Sequence, residues 1–332
     1  MAKYTSIGGQ ALIEGIMMKN PHKKTALAVR KPDKTIDISY VNDKSIKDKI
    51  PFLKLPVLRG IVTYVETMIQ GYKVMMKSAD ISGFTDIEED KKNDNNKKSG
   101  AALGAIAGAI GSVVGILLAV ALFWFLPTYA VGGIEWIVGK WVTDFAFSGI
   151  AKAAITQAIK IIILVTYMFA ISFMKDIHRV FAYHGAEHKT IFCYEAGLPL
   201  TVENVKKQKR FHPRCGTSFL ILMLLINIII SATLYTLVPA IGDNSLYRFG
   251  AGLVLLPLIC GVGYEVLKIC GRFDNIFTRV ISAPGVWMQH ITTKEPDDDM
   301  IEVAIAALKA CDEIEDETQD KLEEETENND DI

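Results

Sequence analysis

The sequence predicts an α-helical integral membrane protein of about four transmembrane helices, carrying a small cytoplasmic β-hairpin and amphipathic helices. Half of the 332 residues are apolar, and they are clustered rather than spread. Ser99 to Ile134 and Cys215 to Gly242 contain no charged residue, and each run exceeds the roughly 20 residues that cross a bilayer as a helix. Lys and Arg gather on one set of connections: Lys175 to Arg214 holds eight, whereas Pro127 to Lys152 holds only Lys140 and Lys152, and the link around Asp243 only Arg248. That asymmetry marks the cytoplasmic flanks and predicts a multi-pass membrane protein with both termini inside.

Residues 1–85 form the expected cytoplasmic N-terminal region. Met1 to Asn20 lacks the pattern of a secretory leader. Glycines frame a short apolar run from Gly8 to Met18 that holds Gln10 and Glu14. No Lys-Ser/Thr follows, which excludes a nucleotide loop; an apolar strand or helix beneath a site is expected, with Glu14 a candidate partner for a ligand. Between Ala26 and Val41, Lys31-Pro32-Asp33-Lys34 separates two β-rich runs, the pattern of a hairpin. From Val57 to Lys77, Leu58, Ile61, Val62, Val65, Met68, Ile69, Tyr72 and Met76 repeat at helical spacing, while Arg59, Glu66 and Lys73 argue against crossing.

A polar linker, 86–98, leads to a membrane domain over 99–282, with spans near 101–126, 153–174, 217–239 and 249–270 and a cytoplasmic His/Cys segment at 175–214. Lys160, Glu265 and Lys268 interrupt the second and fourth spans; the lysines are expected to snorkel. Gly104, Gly108, Gly111 and Gly115 make a small-residue stripe, suited to packing within the chain or to a homo-oligomer. Residues 283–310 read as an interfacial segment around Trp287 followed by a helix opened by Glu295-Pro296-Asp297-Asp298-Asp299. An acidic tail, 311–332, is expected to be disordered. Cys193, Cys215, Cys260, Cys270 and Cys311 show no paired spacing, so structural disulfides are not expected.

The chemistry concentrates in His184-Gly185-Ala186-Glu187-His188, an H-x-x-E-H pattern on a segment that Gly197-Leu198-Pro199 terminates. Residues four apart share a helix face, so His184 and His188 can reach one ion with Glu187 beside them. His212 and Cys215 add a second pair at ligand-like spacing. Two arrangements follow. A closed set of His184, His188, His212 and Cys215 would be structural; His184 and His188 with one of His212, Cys215 or Glu265 would leave a position open, with Glu187 as general base. Zinc, or another divalent metal, is the expected cofactor.

The strings GGQALIEGIMMK, YHGAEHKTI, HPRCGTSFL and ITTKEPDDDMIEVAIAAL together resemble the YqhQ family of bacterial membrane proteins. The resemblance covers nearly the whole chain and implies a predicted metal-dependent enzyme, with His184, Glu187, His188, His212 and Cys215 as its motif positions. The expected function is a membrane-embedded zinc hydrolase acting at the cytoplasmic face on a peptide or lipid-linked substrate. The alternative is a non-enzymatic scaffold or regulator with a structural metal. Membrane lipid is the expected partner and nucleic acid is not.

Overall fold

The computed structural model describes residues 7–19, 24–42, 45–84, 111, 113–142, 147–212, 215–273 and 275–312. The 86–98 linker, Gly104, Gly108 and the tail beyond residue 312 lie outside the described residues. The chain is mostly helical, with one antiparallel sheet in the order β1 (Gly8–Leu12), β2 (Gly15–Lys19), β3 (Lys24–Arg30), β4 (Ile36–Asn42).

β3 and β4 are the expected hairpin, with Ala28 opposite Ile38. Asp33 Oδ1 closes the turn by accepting from Thr35 N at 2.9 Å and Thr35 Oγ1 at 2.6 Å. The hairpin is nevertheless half of a four-stranded meander, because β1 and β2 pair onto it. Ile16 and Met18 face one side with Ala26 and Ala28, while Met17 faces the other with Leu27 and Val29. A strand buried on both faces reads as an uninterrupted apolar run and loses the alternation that reveals strands.

Helix α1 (Leu58–Ile81) covers one face of the sheet through Val74. The other face packs on the histidine helix and the last helix, residues 298–312, in one core that includes Tyr183, Ala186, Ile301, Val303, Ala304 and Leu308. The N-terminal sheet and the C-terminal helix, far apart in sequence, are therefore one structural unit.

Four helices are long and apolar enough to cross a membrane: α2 (Val113–Gly139, with a π turn at Ala121–Phe125), and the segments Ala151–Ile171, Phe219–Leu237 and Leu246–Cys270. The last three lie within α3 (Gly149–Ile171), α6 (Thr217–Leu237) and α8 (Ser245–Arg272). Few of their residues are buried within the described residues. The first continues past the expected end at 126, through Glu135 to Gly139. A Cβ at Gly111 or Gly115 would meet no described residue within 4 Å. The histidine helix is α4 (Lys175–Glu195); the short helices α5 (Val202–Lys206) and α7 (Pro239–Asp243) follow α4 and α6. Helix α9 (Ile276–Thr292) extends the expected amphipathic stretch to 17 residues, opened by a capping box at Asn275 and Thr278.

Candidate metal centre

Helix α4 carries His184 and His188 one turn apart, with ring centroids 4.4 Å from each other. The loop between α5 and α6 delivers Cys215 to the same place, and one ligand atom each of His184, His188 and Cys215 lies within 4.8 Å of the others. His184 Nε2 is 3.1 Å from Cys215 Sγ. Ligand atoms of one tetrahedral zinc lie about 3.3–3.6 Å apart, so small side-chain adjustments suffice to bring the set to bonding distance.

The outward nitrogen of each imidazole is already committed. His184 Nδ1 donates to the carbonyl of Thr292 at 2.9 Å, and His188 Nδ1 to that of Arg210 at 2.5 Å. A carbonyl can only accept, so each ring carries a proton on Nδ1 and leaves Nε2 for the cluster, the arrangement that orients metal-binding histidines.

Glu187, placed between the two histidines in sequence, is 5 % exposed. Burial raises its pKa above the ordinary carboxylate range, opposed by the nearby His184 ring and by a hydrogen bond from the Gly9 backbone. Its Oε2 has no hydrogen-bond partner. Such an orphaned buried oxygen is expensive unless an additional group meets it. The donor set and the carbonyl-bound imidazoles fit a divalent cation of the zinc type.

His212 lies beside the cluster rather than in it. Its ring is 5.6 Å from that of His188 and 4.7 Å from Phe192, and its Nε2 is 4.0 Å from Glu195 Oε2. The described geometry thus presents three converging ligands with a third histidine adjacent. Glu265 is elsewhere: its carboxylate takes a bidentate pair from Arg59, at 2.7 Å to Nε and 2.5 Å to Nη2, and a bond from Val57 N at 3.3 Å. Its lone pairs go to a guanidinium on α1. Glu14 is also removed from the histidines. It pairs with Arg179 and accepts from Tyr183 at 3.2 Å, which ties the β1–β2 turn to the first half of α4.

Several supporting residues carry no motif. Gly9 brings β1 against Glu187, where a Cβ would sit 2.8 Å from its Cδ and Oε1. Gly185 admits the Lys294 carbonyl, and Lys294 N donates to Phe181 O at 2.8 Å, which sets Thr292 over His184. Gln289, fully buried, clamps the His212 peptide by accepting from its N–H at 2.7 Å and donating to its C=O at 2.8 Å. Only the glycines of the first string and of the histidine motif were visible as unusual in the sequence.

A family model described as "Protein of unknown function (DUF1385)" matches residues 55–313. The chain is 34% identical over 303 residues to the uncharacterized protein YqhQ of Bacillus subtilis (strain 168), an alignment covering 91% of this chain and 90% of that protein. No solved structure matches. Neither description names a metal or an activity, so the metal-dependent chemistry implied by the resemblance rests on the geometry above.

Proposed function

The chain belongs to the DUF1385 family of proteins of unknown function, and from that premise we propose that it is a membrane-embedded, zinc-dependent hydrolase acting on a peptide or lipid-linked substrate at the cytoplasmic face. The observation that carries this reading is the convergence of His184, His188 and Cys215 within 4.8 Å beside a buried carboxylate, Glu187, whose Oε2 lacks a partner. His184 is only half-buried, which leaves the cluster a route of access. The membrane setting is supported by four long apolar helices with exposed faces, and the orientation by the eight Lys and Arg between Lys175 and Arg214.

The chain's own groups have distinct parts in such a reaction. Thr292 and Arg210 hold the two imidazoles with their Nε2 lone pairs turned inward. Glu187 is the base: burial makes its carboxylate a stronger proton acceptor, and the Gly9 N–H holds one oxygen while Oε2 is left to take a proton. Zinc, when bound, supplies Lewis acidity and a nucleophile at neutral pH.

Elemental analysis of the detergent-purified protein, prepared without chelators, tests this reading. About one zinc per chain is expected, lost in His184→Ala and in Cys215→Ala and retained in Glu187→Gln. A metal-free wild type would refute it. If Glu187→Gln keeps full function in cells while His184→Ala loses both function and abundance, the metal is structural and the chain is a scaffold.

A further inference from the structure

Helix α1 has two opposite faces without charge, and the described residues cover only one of them. Gly60, Gly71, Val74 and Ser78 are buried on the covered face. Gly60 approaches α8 so closely that a Cβ there would sit 2.8 Å from the Gly261 oxygen, Gly71 meets Gln10 of β1, and Ser78 donates to the carbonyl of Ile13. Val65, Met68, Ile69, Tyr72 and Met76 recur at helical spacing on the opposite face, each between 43% and 70% exposed. The preceding chain is strapped along the same helix: Ile46 N donates to Glu66 Oε1 at 2.8 Å and Lys47 Nζ to Thr63 Oγ1 at 2.6 Å. Its two 3₁₀ turns, Ile46–Asp48 and Pro51–Lys54, bury no residue, and Ile46, Ile50, Phe52 and Leu55 are exposed. Large apolar side chains grouped in this way mark an interaction surface.

Helix α1 meets the apolar helices near one end. Arg59 pairs with Glu265, and Tyr64 packs on Phe219 with ring centroids 5.8 Å apart. Phe219 opens its apolar segment, while Glu265 and Gly261 stand five and nine residues before Cys270, the end of theirs, about 8 and 14 Å along the axis. A helix lying in a membrane surface buries its apolar face about 5–10 Å into the boundary between headgroups and chains, a depth comparable with these contacts. Charge completes the pattern. From Ile46 to Ile81 there are five lysines and one arginine against two aspartates and one glutamate. Arg59 is matched by Glu265, whereas Lys49, Lys54 and Lys73 are exposed near the apolar side chains.

We propose that the exposed face of α1, with the two turns strapped to it, lies in the surface of an anionic lipid membrane, its apolar side chains among the acyl chains and its lysines among the headgroups. The inference rests on the membrane setting proposed above and not on the zinc chemistry. A lipid surface is continuous with the exposed apolar side of α8, on which α1 packs, and its phosphates complement the lysines. A second copy of the chain would bring the same lysines to meet them. The covered face of α1 carries the sheet on which the histidine helix packs, so this contact fixes the metal centre against the lipid surface.

The test places the photocrosslinker p-benzoylphenylalanine in the full-length protein, one position at a time, in nanodiscs of equal parts dioleoylphosphatidylglycerol and dioleoylphosphatidylcholine. The probed positions are Met68 and Tyr72. Val254 on α8, 78% exposed, is the reference for a lipid-facing span, and Glu203, exposed on α5, is the reference for water. After irradiation, mass spectrometry is expected to find lipid adducts at Met68, Tyr72 and Val254 and none at Glu203. Phosphatidylglycerol should be enriched about twofold or more at Tyr72 relative to Val254. Lys49→Gln, Lys54→Gln and Lys73→Gln combined should abolish that excess. Adducts at Val254 with none at Met68 or Tyr72 would overturn the proposal and leave the membrane setting intact, whereas no adduct at any position would remove both. Cross-links from Tyr72 to a second copy of the chain would overturn it in favour of a dimer. Adducts at Glu203 as strong as those at Tyr72, or equal phosphatidylglycerol at Tyr72 and Val254, would also overturn it. Should one probed variant fail to fold, the other carries the comparison.

Discussion

Replacing Gln289 by Met isolates what the carboxamide clamp contributes, because the two side chains are close in length and volume. The substitution removes the acceptor of His212 N and the donor to His212 O, bonds of 2.7 and 2.8 Å inside a fully buried site. Each of the two backbone groups left unsatisfied in such a place costs about 1–3 kcal/mol, so the loss should come to about 2–6 kcal/mol with little cavity contribution. In a thermal melt of the detergent-purified protein this is a drop of several degrees. Cys215 N in turn donates to His212 O at 3.4 Å, so zinc affinity, measured by competition with a chelator, should fall about tenfold. A Gln289→Met melt within a degree of wild type, with unchanged zinc affinity, would show that the clamp does not hold the Cys215 loop.

Further consequences follow from the same geometry. Gly9→Ala places a methyl 2.8 Å from the Glu187 carboxylate; displacing a base by about 1 Å costs on the order of 100-fold in rate, so turnover should collapse while elemental analysis still finds the metal. Gly185→Ala drives a Cβ into the Lys294 carbonyl and pushes Thr292 off His184, so zinc affinity should fall by about 10–100-fold and the melt should drop with it. Glu265→Gln should leave zinc content at the wild-type value, because its carboxylate is held by Arg59; metal loss in that variant would restore it as a ligand.

The helices long enough to cross a membrane were legible because lipid removes the need for amphipathic patterning, leaving uncharged runs such as that from Cys215 to Gly242. His184 and His188 were legible because one helical turn sets their spacing. The sheet was half legible: β4 alternates, with Ile38 exposed opposite Ala28, whereas β2 is buried on both faces and hides its period. The partner of Glu265 was not legible, because a carboxylate among apolar residues announces that it has a partner without saying which. Arg59 lies 206 positions away, and only the packing of α1 on α8, where Gly60 meets Gly261, selects it. The carbonyls of Thr292 and Arg210 had no signature at all, since every residue has a carbonyl.

The shared core of sheet, histidine helix and C-terminal helix imposes an arithmetic on the chain. Strands β1 to β4, helix α4 and residues 298–312 touch one another, so all three must lie on one side of any bilayer that the intervening segments cross. The number of crossings between β4 and α4 must then be even, and so must the number between α4 and residue 298. The candidate helices divide two and two: Val113–Gly139 and Ala151–Ile171 before α4, Phe219–Leu237 and Leu246–Cys270 after it. Losing any single crossing would strand part of this core across the membrane from the rest, and the cluster of His184, His188 and Cys215 would lose the walls that orient it.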